Sequence, residues 1–281
     1  MKFGIPLSRV NPAHFDEVAV AADECGVESL WLAEHLVLPL RIEGQLVPGE
    51  EHPPLSPRLP VYDAPAYLAY LAARTRRIRL GTFVYLLGLR HPFVGARAFA
   101  TLDRVSGGRA LCGVGAGWLR TEWEAAGLDP RTRGRRLDET IAVCRRLWSE
   151  PVVEHHGELI DFEPVAFEPK PVQEPLPVLV GGESDAALRR AARLGDGWLG
   201  MDHSAESAAD RVGRLRRFAA DAGRDPDAVE VTVIGAVEGE TDVERYAAAG
   251  VDRLIVVPWR RSREAVDGLV AFAERIGLTG R

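Results

Sequence analysis

The stretch Pro177-Val178-Leu179-Val180-Gly181-Gly182-Glu183-Ser184 is apolar at consecutive positions, then turns through two glycines into an amphipathic segment at 185–194. A strand apolar on both sides is covered on both faces, as parallel strands under helices are. Leu254-Ile255-Val256-Val257 reads the same way. Outward from these runs the pattern repeats along the whole chain. Candidate strands lie at 3–7, 29–33, 78–83, 110–114, 177–180, 197–200, 229–236 and 253–257. Helical patterns lie between them at 12–25, 64–74, 92–105, 133–148, 185–194, 204–222, 242–249 and 263–276. Gly26, Gly195, Gly223, Gly250 and Gly277 fall just past helix ends, where a left-handed C-cap favours glycine.

Strict alternation of eight strands and eight helices is what a (β/α)8 TIM barrel requires, and such a barrel uses about 250 residues. A doubly wound open sheet competes, because periodicity alone does not separate the two. Eight repeats within 281 residues favour the barrel, with 1–281 as one domain. Two segments interrupt the rhythm. Residues 34–62 follow the second strand, contain six prolines and form a long loop, a candidate lid. Residues 151–175 alternate polar and apolar side chains around Gly157, which predicts a small hairpin before the fifth strand.

Composition narrows the function. A hydrophobic share of 46% with 27% charged residues excludes a disordered chain. Forty-one acidic against 35 basic residues, a net charge of −6, argues against a nucleic-acid binder that works by neutralising phosphates. No apolar run approaches the ~20 residues of a membrane span, and the N-terminus enters a strand without a signal-peptide core. Cys25, Cys112 and Cys144 stand apart without metal-ligand or CxxC spacing and read as small core residues in a reducing compartment. The expectation is a cytoplasmic protein with a small-molecule substrate, no nucleic-acid or membrane partner and no metal.

In a barrel the site lies at the carboxyl ends of the strands. That selects Glu34 and His35 after the second strand, Thr82, Phe83 and Val84 at the third, and Gly113-Val114-Gly115-Ala116-Gly117-Trp118 at the fourth. It adds Gly181, Gly182, Glu183 and Ser184 at the fifth, Trp198 on the sixth, and Trp259 and Arg260 after the eighth. The Gly181–Ser184 turn is a candidate anion site: glycines admit close approach, Ser184 can cap the following helix, and its free amides and dipole face an anion. A plain tight turn is the alternative. The Glu183 carboxylate would repel the anion unless it turns away. Residues 113–117 are GxGxG, not the GxGxxG dinucleotide pattern, and by themselves read as a close backbone approach rather than a cofactor site. Trp118 can pack on a flat ring. His35 can exchange a proton near neutral pH with the Glu34 carboxylate tuning it, although a lone histidine is more often structural. His155-His156 lacks a third ligand and reads as surface. The arginines at 74, 76, 77 and 79, and at 211, 214, 216 and 217, read as solvated.

The sequence resembles the bacterial luciferase-like monooxygenase superfamily, in its coenzyme F420-dependent oxidoreductase branch. The resemblance runs through Phe3-Gly4-Ile5, Ser29-Leu30-Trp31-Leu32-Ala33-Glu34-His35, Arg77-Ile78-Arg79-Leu80-Gly81-Thr82, Arg90-His91-Pro92 and Ala100-Thr101-Leu102-Asp103. It continues through Ser106-Gly107-Gly108-Arg109, the glycine turn ending in Trp118, Pro169-Lys170-Pro171-Val172-Gln173, Gly181-Gly182-Glu183-Ser184 and Gly195-Asp196-Gly197-Trp198. It implies a TIM barrel with a deazaflavin or flavin in its mouth, a non-prolyl cis peptide joining Phe83 and Val84, and a cofactor phosphate on the amides near Gly182, Glu183 and Ser184. It also implies hydride transfer at the deazaflavin C5, assisted by His35, and a homodimer. An anionic F420 tail would favour Arg41, Arg90 or Arg260 at the mouth. Sugar-phosphate dehydrogenases of the branch carry a tryptophan a few residues after the histidine, where this chain has Leu36-Val37-Leu38-Pro39, and a glutamate directly after the glycine turn, where it has Trp118, which points to a less polar substrate. Two other readings stay open: an FMN-dependent monooxygenase, and a non-catalytic flavin- or deazaflavin-binding protein.

Overall fold

The computed structural model describes residues 1–46, 49 and 55–278. The strands are β1 (Lys2–Pro6), β2 (Ser29–Leu32), β3 (Arg79–Thr82), β4 (Ala110–Val114), β5 (Val152–His156), β6 (Asp161–Ala166), β7 (Val178–Gly181), β8 (Gly197–Gly200), β9 (Glu230–Ile234) and β10 (Arg253–Ile255). The helices are α1 (Phe15–Glu24), α2 (Ala64–Arg74), α3 (Pro92–Ser106), α4 (Arg120–Ala125), α5 (Arg133–Ser149), α6 (Asp185–Leu194), α7 (Ala205–Asp221), α8 (Glu240–Ala248) and α9 (Ala265–Arg275). Eight strands close into one parallel barrel in the order β1-β10-β9-β8-β7-β4-β3-β2. β5 and β6 pair antiparallel as a separate hairpin. The part of the 34–62 loop at 47–48 and 50–54 lies outside the described residues.

Closure sorts each strand into two sets of side chains. Trp31, Leu111, Leu179, Leu199 and Ile255 pack on one another inside the barrel, with Phe83, Val84 and Ile234 against them. The alternate residues, among them Leu30, Cys112, Val180, Trp198 and Leu254, pack outward against the helices. The Trp31 indole occupies space that two glycines leave: a Cβ on Gly81 would stand 2.5 Å from its ring and one on Gly4 2.7 Å from Nε1. Its N–H donates to Ser29 Oγ at 2.9 Å.

A charged plug closes the amino end. Arg253 is fully buried, donates to both oxygens of Glu28 at 2.7 and 2.8 Å and to Thr232 Oγ1 at 2.9 Å, and pairs with Glu230. Burial pushes the Glu28 carboxyl up, but the hydrogen bonds and charge of Arg253 outweigh it and hold the group below its ordinary value.

Some expectations are corrected. The segment after Trp118 forms α4, a helix that the periodicity leaves as loop. Gly195 is extended at φ −88°, whereas Gly26, Gly223, Gly250 and Gly277 are left-handed. Cys112 and Cys144 are buried but Cys25 is half-buried. Arg79 is not solvated: it is half-buried and donates to Gln173 Oε1 at 2.7 Å. His155 is half-buried as well, 2.9 Å from Glu139.

Replacing Arg253 with Met leaves Glu28 and Glu230 facing each other without their shared cation. Both carboxylates are about a quarter exposed and Glu230 keeps Lys2, so the loss falls short of that for a fully buried pair, and the urea midpoint of R253M is expected to fall by the equivalent of about 1–3 kcal/mol at pH 7. The carboxyl of Glu28 lies below its unfolded value, so its contribution is complete above pH 4.5 and is lost as the pH falls through the lowered folded value. The deficit of R253M should therefore shrink in acid; a midpoint equal to wild type at pH 7 would contradict the plug.

Candidate active site

The carboxyl end of the barrel is shaped by one more contact that glycines permit. The peptide joining Phe83 and Val84 is cis, and both side chains are half-buried against the barrel interior. Val84 stands between two strand ends: a Cβ on Gly115 would come within 2.5 Å of its Cγ2, and one on Gly181 within 2.6 Å of its Cγ1. Thr82, two residues before Val84, is fully buried, and its hydroxyl donates to the Gly113 carbonyl at 2.6 Å. It ties β3 to β4 and is not presented at the mouth. Gly117 is left-handed and turns the chain toward the half-buried Trp118.

His35 is held by a residue the sequence reading missed. Its Nδ1 lies 2.8 Å from Glu122 Oε2, and Glu122 Oε1 accepts from the amides of Leu36 at 2.6 Å and Val37 at 3.3 Å. Glu122 is fully buried on α4. A carboxylate only accepts, so the proton of that bond sits on Nδ1 and Nε2 is left for a ligand. The Trp118 ring meets the imidazole edge-on at 6.2 Å. The loop after β2 is stitched to the same helix: Arg120 N donates to Glu43 O at 2.7 Å and the Thr121 hydroxyl to Arg41 O at 2.8 Å.

Glu34 is therefore not the carboxylate that orients His35. It is buried, accepts from Leu86 N at 3.1 Å and pairs with Arg90. Burial pushes its carboxyl above the ordinary range, with the Arg90 charge only partly offsetting that. Arg90, expected at the mouth, is taken up by this pair and lies over the Tyr85 ring at 4.3 Å. Arg41 and Arg260 are exposed, and Arg41 pairs with Glu43.

The Gly181–Ser184 turn enters α6. Gly182 has φ 127°, and Ser184 caps the helix, its Oγ accepting from Ala187 N at 3.2 Å. The first-turn amides of a helix have no intrahelical acceptors and point out of its N-terminus. Glu183 turns away from them. Its buried carboxylate accepts from Met201 N at 2.7 Å and lies 3.0 Å from His203 Nε2, with Arg211 Nε at 4.0 Å. Arg214 pairs with Asp185. Arg211 and Arg214 are thus half-buried counter-charges on α7, not solvated residues, whereas Arg216 and Arg217 are exposed.

Two expected mouth residues lie elsewhere. Trp198 is fully buried on the outer face of β8, because Leu199 takes the inward position; its indole donates to Gly182 O at 2.9 Å from behind the turn. Trp259 packs in the outer core and donates to Arg9 O at 3.2 Å. A cavity of about 650 Å³ opens at the carboxyl ends of β8, β9 and β10, with Ile234, Val237, Val256 and Pro258 on its walls and His203 joining it to the glycine turn. Its guanidiniums are already paired: Arg9 with Asp202 at 3.4 Å, Arg245 with Glu206 and, at 3.8 Å, with Asp242. Among the described residues no cluster of metal-ligating side chains occurs, and no helix is long and apolar enough to cross a membrane.

A closed parallel barrel with a carboxylate-held histidine just after its second strand has the architecture of (β/α)8 barrels, whose sites lie at the carboxyl ends of the strands. The sequence profile of the luciferase-like monooxygenase family matches residues 1–277, and the chain belongs to that family. An uncharacterized protein of Mycobacterium tuberculosis is 30% identical over 289 residues, covering 98% of this chain and 99% of that one. The F420-dependent glucose-6-phosphate dehydrogenase of Kineococcus radiotolerans is 32% identical over 204 residues, 70% of this chain and 56% of that protein. Among solved structures, monooxygenase RslO1 from Streptomyces bottropensis superposes with a TM-score of 0.73 at 25% identity over 98% of each chain. An F420-dependent secondary alcohol dehydrogenase in complex with an F420-acetone adduct superposes with a TM-score of 0.80 at 18% identity, over 99% of this chain and 98% of that one, and shares the fold.

Glu122 should fix the His35 tautomer. Nitrogen-15 NMR of the neutral imidazole is expected to show the proton on Nδ1 in the wild type and predominantly on Nε2 in Glu122→Ala, the form free side chains favour. The same variant strips the acceptor from two loop amides, for which a loss of about 1–3 kcal/mol in unfolding free energy is expected. An unchanged tautomer would show that Glu122 does not orient His35.

Proposed function

We propose that the protein is an F420-dependent oxidoreductase acting on a small organic substrate of low polarity. The observation that carries this reading is the placing of Val84, wedged between Gly115 and Gly181, beside the Gly181–Ser184 turn. An apolar ledge for one face of a flat ring and a cradle for a phosphate thus come from neighbouring strand ends. The turn fits a phosphate on three counts: Gly182 holds a left-handed φ, Ser184 caps α6, and both nearby carboxylates, Glu183 and Asp185, have partners on other elements.

When bound, the deazaflavin supplies a carbon that gives or takes hydride, because carbon replaces the flavin N5. This chain's residues do the rest. Backbone amides at Glu183, Ser184 and Asp185 bind the phosphate, since the Gly182 amide expected among them faces Leu199 O at 3.4 Å, and Phe83 and Val84 back the ring. His35 holds or moves a substrate proton at Nε2 while Glu122 keeps Nδ1 occupied. Arg260, exposed, suits an anionic tail, whereas Arg41 already faces Glu43. Trp118, edge-on to His35 at 6.2 Å, and the apolar Leu36-Val37-Leu38 run that follows the histidine suit a substrate of low polarity. Relatives named for F420 support this cofactor over FMN.

Titration of the apo protein, followed by fluorescence, should show F420 binding at least about tenfold tighter than FMN. The reverse order would move the protein to the flavin monooxygenases, and binding of neither would contradict the cradle. Gly182→Ala places a Cβ 2.9 Å from that of Ala187 on a left-handed backbone, and F420 affinity should fall by about tenfold or more with the barrel intact.

A further inference from the structure

The glycine turn carries an internal conflict. Glu183 lies between Gly182 and Ser184, so one residue contributes both an amide that faces a bound anion and a carboxylate that would repel it. The structure resolves this by drawing the carboxylate backward. Oε1 accepts from Met201 N at 2.7 Å, and Oε2 takes His203 Nε2 at 3.0 Å. His203 is itself fixed on every side. Its Nδ1 lies 3.0 Å from Ser207 Oγ, its amide donates to Ile234 O at 2.9 Å, and its carbonyl accepts from the Tyr246 hydroxyl at 2.6 Å. Its ring packs on Trp198 at 5.5 Å, and Trp198 holds the Gly182 carbonyl from behind. Glu183, His203 and Trp198 therefore form a bracket on the side of the turn away from the amides.

We propose that His203 is a positioning residue whose hydrogen bond to Glu183 keeps that carboxylate out of the anion's space, and so makes the turn selective for phosphate-bearing ligands. Without the imidazole, Oε2 is left with Arg211 at 4.0 Å among the described residues, and a rotation about the side chain brings a negative charge toward the phosphate. Ligands without a phosphate have nothing there to be repelled. The proposal rests on the reading that a cofactor phosphate occupies this turn.

The test compares two pairs of probes that differ by the phosphate alone, on the full chain by fluorescence titration: 8-hydroxy-5-deazariboflavin 5′-phosphate with 8-hydroxy-5-deazariboflavin, and FMN with riboflavin. Wild type should prefer the phosphorylated member of at least one pair by about tenfold or more. In His203→Ala that preference should collapse about tenfold, while affinity for the phosphate-free partner changes less than about twofold. Adding Glu183→Gln to His203→Ala should restore the preference to within about threefold of wild type, because the repelling charge is gone. Glu183→Gln alone preserves shape and should leave the preference equal or greater, which keeps the proposal testable where His203→Ala is poorly folded. A wild type without phosphate preference would overturn the cofactor reading and this proposal with it. A wild-type preference that His203→Ala retains, that Glu183→Gln fails to rescue, or that Glu183→Gln alone abolishes would overturn the role of His203 only.

Discussion

Space inside a closed eight-stranded barrel is the constraint on which the rest depends. Strand closure fixes where inward side chains meet, and large ones enter only where a neighbour lacks a Cβ. Gly4 and Gly81 admit Trp31 to the middle of the barrel, and Gly115 and Gly181 admit Val84 to its mouth. The first contact, with the Arg253 plug beneath it, closes the interior from the amino end. The second sets the floor of the site, and both belong to one packed column that includes Leu199 and Ile255.

Above that floor the protein buries three carboxylates within a few strand ends of one another, and each has a separate assignment. Glu34 takes Arg90, Glu122 takes the imidazole and two loop amides, and Glu183 takes Met201 N and His203. A buried carboxylate without partners is costly, so each fixes the element that serves it. Glu34 holds the turn after Val84, Glu122 docks the loop after β2 onto α4, and Glu183 faces away from the turn that carries it.

The fold was legible because consecutive apolar runs such as Val178-Leu179-Val180 and amphipathic segments such as 185–194 state their own burial. α4 was not: Arg120-Thr121-Glu122-Trp123-Glu124-Ala125 is too short and polar to show a helical period, so Glu122 carried no signal. Adjacent residues at a strand exit project to opposite sides, which is why Glu34 cannot serve His35 although it precedes it. The same two-residue period decides that Leu199 faces inward and Trp198 outward, a choice that two neighbouring apolar residues leave open until the register is known. His203 and its link to Glu183 join segments 20 residues apart, a pairing that only the barrel brings about.

The most direct test of the central claim is a crystal structure of the protein grown with F420. The account predicts the phosphate on the amides of Glu183, Ser184 and Asp185, with one ring face against Val84 and the other open toward His35 Nε2. A phosphate bound elsewhere, or a ring that does not touch Val84, would contradict it.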